Sequence, residues 1–412
     1  MSESISDKLK SLGVQVGAQN LPPAKPKEER FPIESVLVGS DLSTAFGPAY
    51  MVENRFEIDY IHGDVVLLNE INPQVIAAWA RAHDLDTSLL GKVLFLDTET
   101  SGLAGGTGTY AFLIGLGYRT AEGFVVRQVF MRDPDQEPAL LAALDELIHT
   151  FDYVVTFNGK SFDVPLLNAR YVMNGMTSPF PKLDHIDLLP LARRLWRNRL
   201  SSRALKDLES EIIHVPRTQE EVPGWMIPDI YFDYLKTGDA RPLANVFYHN
   251  SMDILSLAAL FNFCSDLLFE PLSQKNVPGL DLVAVARLFE ELNHIDAAVL
   301  VYEESLNRGD LPLQIYLETL QRFALLYRKQ ARWEEAVNLW RKAAEHRWLE
   351  AIIELAKYYE HQEKEYTQAL QWTDEAIAVS ELMDLPYWQK KSMLSELTHR
   401  RTRLMTRIAP EK

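Results

Sequence analysis

Between Lys92 and Met131 the chain carries three strand-like runs in succession, KVLFLDTE, TYAFLIGLGYR and GFVVRQVFM, separated only by short breaks. Runs rich in β-branched and aromatic residues, bounded by glycine-containing breaks, read as strands. An alternation follows. PALLAALDELIHTF reads as a helix, YVVTFN as a buried strand, FDVPLLNARYVMN as a helix and LDHIDLLP as a short strand. Several helices then lead into VFYHNSMDILSLAALFNFCSDLLF. Three consecutive strands followed by strand–helix alternation admit few architectures. The pattern predicts an α/β domain over residues 89–272, with a mixed central sheet flanked by helices.

The flanks differ in character. Residues 1–30 contain LPPAKPKEER and little apolar periodicity, which predicts a flexible arm. Residues 31–88 hold the segments ESVLVG, GPAYMVENRFEIDY and DVVLLNEI. They read as a small β-rich extension packed on the next domain, closed by a helix in NPQVIAAWARAHD. Residues 280–412 are helical and carry an internal repeat. Three segments align on Ala298, Ala336 and Ala369. Tyr302, Trp340 and Thr373 stand four residues later, and Ser305, Ala343 and Ala376 seven later. Ala286 with Phe289, and Ala324 with Tyr327, precede the first two alanines at one spacing. In the third copy Ala356 and Tyr359 are offset by one residue, which predicts a longer turn there. Small residues let paired helices approach and aromatics fill the gaps, as in tetratricopeptide-like repeats. An ordinary helical bundle is the alternative.

Hydrophobic residues make up 47% of the 412-residue chain, enough for cores in two or three domains. The one cysteine, Cys264, lies among apolar neighbours and reads as a core thiol. No secretory segment and no apolar run near 18 residues stands out, so the expectation is a soluble, cytoplasmic protein without membrane association. The net charge of −16 opposes nucleic acid on average. A local basic patch can still bind it.

One stretch, FLDTETSGLAGGTG, offers two chemistries. Its glycines lack the lysine of a phosphate-binding loop and precede a strand rather than a helix. They read as a tight turn between strands. Its acids, Asp97 and Glu99, are two residues apart at a strand end, so both carboxylates point to one face. Adjacent carboxylates repel unless a cation neutralises them, and hard oxygen ligands suit magnesium or manganese. Taken alone, the pair also fits a solvated strand end. Further on, NGKSFD places Asn158, Phe162 and Asp163 after a second apolar strand, where Asp163 also fits a helix cap. In YHNSMD, His249 and Asp253 are four apart on one helical face.

In that order these motifs resemble the DEDD superfamily of 3′–5′ exonucleases, on the ribonuclease H-like fold. The similarity is strongest to the proofreading domains of family B DNA polymerases. With the helical tail, the whole chain resembles YprB-type bacterial proteins. The resemblance implies that Asp97, Glu99, Asp163 and Asp253 bind two Mg2+ or Mn2+ ions for phosphodiester hydrolysis. It implies a water-orienting residue just before the last acid. Family members carry Tyr four residues before it or His five before it, whereas here His249 is four before and Tyr248 five before. His249 is the first choice and Tyr248 the second, since imidazole is the better base near neutral pH. Thr98, Thr100, Asn158 and Phe162 fall where the nucleic-acid end would be touched. Asp184 and Asp187 are further acids; Asp187 reads as structural, holding the turn into the next helix, and His185 as a local hydrogen-bonding residue.

The stretch LLPLARRLWRNRLSSRALK contains no acid. Arg193, Arg194 and Arg197 there could hold phosphates, with Trp196 as a stacking platform. The alternative is a solvated basic face with Trp196 in the core. The leading expectation is a 3′–5′ exonuclease acting on a single-stranded 3′ end of DNA or RNA. A weak or silent nuclease fold that recruits a protein partner through its repeats is the second reading, and endonucleolytic cleavage the third.

Overall fold

The computed structural model describes residues 31–83, 85–102, 108–216, 222–273 and 276–409. The expected arm over residues 1–30 lies outside the described residues, as does the glycine turn from residue 103 to residue 107. The chain divides into two compact units, Met1–Pro190 with Ala204–Ser265, and Leu191–Arg203 with Asp266–Lys412.

The first unit contains strands β1 (Ser40–Thr44), β2 (Gly47–Phe56), β3 (Ile61–His62), β4 (Val65–Val66), β5 (Val93–Thr100), β6 (Ala111–Arg119), β7 (Phe124–Phe130), β8 (Tyr153–Thr156) and β9 (Asp184–Asp187). Seven of them form one sheet in the order β1-β2-β7-β6-β5-β8-β9, and β3 pairs with β4 apart from it. Pairing is antiparallel from β1 through β5. β8 joins β5 in parallel and β9 joins β8 likewise. The expected mixed sheet is therefore present, with β5 as the strand where pairing changes sense. Residues 31–88 are β-rich as expected and hold the small β3-β4 pair, but their longer strands belong to the main sheet: β2 pairs with β7 from Tyr50 to Phe56, and β1 extends the same sheet. The free edge of β7 presents unpaired N–H and C=O groups, and β2 satisfies them.

Helices α1 (Ile33–Val36), α2 (Gln74–Ala80), α3 (Glu137–Ile148), α4 (Asp163–Met173), α5 (Leu188–Trp196), α6 (Leu205–Glu211), α7 (Ile227–Thr237) and α8 (Leu243–Phe269) follow in chain order. Leu94 and Leu96 of β5, Phe112 and Ile114 of β6, Leu141 and Leu144 of α3, and Val246 and Phe247 of α8 belong to one buried cluster. Contrary to expectation, α8 is long and apolar enough to cross a membrane by length and composition, with a mean hydropathy of 1.5. Of that window, 72% is buried inside the fold. Cys264 lies on this helix and is buried, which pushes its thiol pKa up.

Two glycines of β6 let α8 lie close to the sheet. A Cβ at Gly115 would come within 2.3 Å of Asn250 Oδ1, and one at Gly117 within 2.4 Å of Ile254 Cγ2. Two strand residues and one helical turn both advance roughly 6 Å, so the glycines meet successive turns of the helix.

The second unit contains α9 (Gly279–Glu291), α10 (Ile295–Asn307), α11 (Leu313–Lys329), α12 (Trp333–Glu345), α13 (Leu349–His361), α14 (Tyr366–Leu382) and α15 (Tyr387–Ile408). The aligned alanines Ala298, Ala336 and Ala369 are fully buried, as are Tyr302, Trp340 and Thr373. Each helix pair turns through a left-handed residue five before its alanine: Asn293, Ala331 and Lys364. In the first two pairs the carbonyls of Phe289 and Tyr327 accept the N–H groups of His294 and Arg332, closing a Schellman-type turn. In the third, Tyr359 O accepts from Glu365, one residue further on. The longer third turn expected from the sequence offset is thus present.

Candidate active site

The acids come from three elements of the first unit. β5 runs through Val93–Leu96 with every residue buried, then alternates. Asp97 and Glu99 fall on the half-exposed side, and Thr98 and Thr100 on the buried side. The expected sharing of one face by the two acids therefore holds. Asp163 opens α4 and is buried. Asp253 lies on α8, and its side chain is 23% exposed.

Asp187, the last residue of β9, fixes the loop that carries Asp163. Its Oδ1 accepts the N–H of Asn158 at 2.8 Å and that of Leu189 at 3.1 Å. Its Oδ2 accepts the N–H of Lys160 at 3.1 Å. Asn158 adopts φ 71°, a left-handed conformation that asparagine tolerates. Gly159 follows where a Cβ would meet the Thr156 side chain at 2.5 Å. The structural reading of Asp187 agrees with these bonds. His185 bonds Thr156 Oγ1 through Nε2 at 2.8 Å, and burial lowers its pKa to about 4.

The four carboxylates act on one another. Burial raises Asp97 well above the usual carboxylate range, and the charges of Asp253 and Asp163 add to this. Glu99 is raised by burial and then by Asp97 and Asp163. Asp163 is raised to about 6, chiefly by burial, although the Thr98 hydroxyl pulls the other way. Such a concentration of buried negative charge is relieved by protons or by a cation, and a set of four carboxylates suits a hard divalent ion. Among the described residues no three of these side chains already stand at coordination spacing around one point. One oxygen of Asp163 is held by Thr98 Oγ1 at 2.5 Å, and one of Asp97 by Asn250 Nδ2 at 2.9 Å.

His249 Nε2 stands 3.5 Å from Asp253 Oδ2, one helical turn earlier on α8. Tyr248 is half-buried and lies close enough to Tyr60 to raise the pKa of that phenol, after burial. Of the expected nucleic-acid contacts, Asn158 is exposed and Phe162 half-buried. Thr98 and Thr100 require correction. Both are buried and turn their hydroxyls inward, Thr98 to Asp163 and Thr100 to Gly102 O at 2.9 Å. Thr98 thus holds Asp163 from the buried side of β5, and Thr100 makes a local bond to the turn that follows. Trp196 is corrected too. It is fully buried in the second unit, so its faces are closed to a base. In the same unit Arg194 is ion-paired with Glu291, while Arg193 and Arg197 are exposed. Sequence reasoning missed Asn250 and Gln128. Their one visible signal was the pair of glycines inside the β6 run, which mark a close approach to a strand.

Residues 94–265 match a family model described as RNase_H superfamily. With its mixed sheet and flanking helices, the first unit is a domain of the ribonuclease H superfamily. Over 339 residues the chain is 32% identical to YprB of Bacillus subtilis (strain 168), covering 79% of each protein. The chain belongs to the YprB family. Among solved structures it is similar to the family B DNA polymerase from the hyperthermophilic archaeon Pyrobaculum calidifontis. That similarity has 16% identity and a TM-score of 0.34, over 51% of this chain and 28% of the polymerase chain. The chain thus spans little more than a quarter of the polymerase's length.

Proposed function

We propose that the chain is a metal-dependent 3′–5′ exonuclease on DNA or RNA. One observation carries this reading: four carboxylates from β5, α4 and α8 share a ribonuclease H superfamily domain, and each of the three with a resolved pKa shift is raised. Asp97, Glu99, Asp163 and Asp253 would hold the cations. When bound, divalent ions of the magnesium class supply an activated water and charge stabilisation at the leaving oxygen. Thr98 holds Asp163 from the buried side of β5. His249, beside Asp253, is suited to take the proton of the attacking water, with Tyr248 second. Exposed Asn158, half-buried Phe162, Arg193 and Arg197 are the remaining candidates for contact with the nucleic acid.

Purified protein with Mg2+ or Mn2+ should shorten single-stranded oligonucleotides from the 3′ end. Asp97→Ala should reduce the rate by at least about 10³-fold with the fold intact, on the scale of losing essential site groups. Inactivity of wild-type protein on both DNA and RNA with either metal would sink the reading. A closed single-stranded circle separates exonuclease from endonuclease, because only the latter cuts it.

A second reading, recruitment of a protein partner by the helical unit, is supported by a cavity of about 390 Å³ there, lined by Arg328, Trp333, Glu354, Lys357 and Tyr358 among others. It complements the first reading, since a silent nuclease domain has no need of all four acids.

A further inference from the structure

Three residues stand in one row across the sheet. Asp97 on β5 faces Gly115 on β6, and Gly115 faces Gln128 on β7. Asn250 of α8 stands over the middle position, the one without a side chain. Asn250 is fully buried and Gln128 is 1% exposed. The Gln128 amide nitrogen donates to Phe247 O at 2.7 Å and to Asn250 Oδ1 at 3.0 Å. Asn250 Nδ2 donates in turn to Asp97 Oδ2 at 2.9 Å.

The polarity of this relay follows from its first bond. A backbone carbonyl can only accept, so the end of Gln128 at Phe247 O is its nitrogen. That nitrogen also faces Asn250, and the atom it meets there must be the oxygen. The other end of the Asn250 amide is then a donor, aimed at Asp97. Neither amide can flip without setting two donors or two acceptors against each other. Asp97 is therefore presented with its Oδ2 engaged by the Asn250 amide.

The geometry points to Asn250, held by Gln128 over Gly115, as the positioning residue that orients Asp97 for cation binding. This rests on the metal reading proposed above. Groups that orient metal ligands typically change metal affinity by 10- to 100-fold. Gln128 acts at one remove and should have a smaller effect of the same sign.

The test is Mn2+ binding to the full-length protein, read by paramagnetic resonance of the free ion, together with the Mn2+ dependence of the nuclease rate. Asn250→Ala should bind Mn2+ about 10- to 100-fold more weakly, with kcat largely recovered at saturating metal. Gln128→Met, which removes no atom facing an acid, should weaken binding several-fold. It also decides the matter if Asn250→Ala does not fold. If wild type binds Mn2+ and the variants that fold bind within twofold of it, the inference is overturned and the nuclease reading stands. If wild type takes up no Mn2+, the metal reading falls and the inference falls with it.

Discussion

Asp163 shows at one residue what the site costs the fold. An ordinary aspartate titrates near 4, and burial lifts this one to about 6. Between those values the folded chain keeps a proton that the unfolded chain has released, so stability falls as pH rises through that window. Buried His62 and His185, lowered to about 4, act in the opposite direction over the same window, so the Asp163 contribution is read in chelator as the difference between wild type and Asp163→Asn at pH 5 and at pH 7. Asp163→Asn keeps an acceptor for Thr98 and removes the charge. It should flatten that slope and raise stability at pH 7 by on the order of 1–3 kcal/mol. Denaturant melts at both pH values check this, and a variant less stable than wild type at pH 7 contradicts it. The four acids were legible because strand and helix periods, with the motif order, single them out. Asn250 was not, although it lies between His249 and Asp253. An amide carries no charge pattern, and its importance comes from Gly115 and Gln128, which are far away in sequence. Thr98 was legible as part of the site but not in its role, because which face of β5 is buried depends on the helices that cover it.

At the scale of elements, the β6 glycines and the helical turns make separate forecasts. A methyl group at Gly117 would press on Ile254 and on the Phe124 ring, whose Cζ lies 2.9 Å from the added carbon. Gly117→Ala should cost about 1–3 kcal/mol by overpacking, seen as a lower denaturation midpoint. Ala331 shows the opposite case. It holds φ 58° in the turn between α11 and α12. A left-handed alanine costs roughly 1–2 kcal/mol, and glycine gives back roughly 0.5–1 through the entropy of the unfolded chain. Ala331→Gly should therefore stabilise the helical unit by up to about 1 kcal/mol, and an unchanged or lower Tm would count against the turn assignment. Strands β5 to β8 were legible because each has its own apolar run and breaks, and β9 from its place between two helices. The joining of β2 to β7 was not, because edge pairing is a non-local choice that neither segment encodes alone.

For the whole molecule, each unit has a buried cluster of its own, one around Leu94, Phe112 and Leu144 and the other around Leu349, Ile352 and Ala376. Calorimetry should resolve two transitions. Since all four acids lie in the first unit, Mn2+ should raise only one of them, by about 2.7 kcal/mol at a hundredfold excess over Kd. A single transition that moves as a whole would contradict this. The change of periodicity placed a boundary near residue 272, whereas the two units divide between Ser265 and Asp266, inside α8. The grouping of Leu191–Arg203 with the helical unit was not legible, since that stretch is embedded in the α/β alternation.

The placement of Asn250 and Asp253 on α8 also sets a schedule. Asp97 leaves the ribosome early, whereas the helix that completes its surroundings emerges roughly 150 residues later, some 10–30 s at ordinary rates of synthesis. During that interval β6 has been made, but the helix that lies over Gly115 and Gly117 has not. A nascent chain stopped before Asn250 therefore lacks both the amide that orients Asp97 and the last acid. The four acids are brought together only when synthesis has nearly finished their domain.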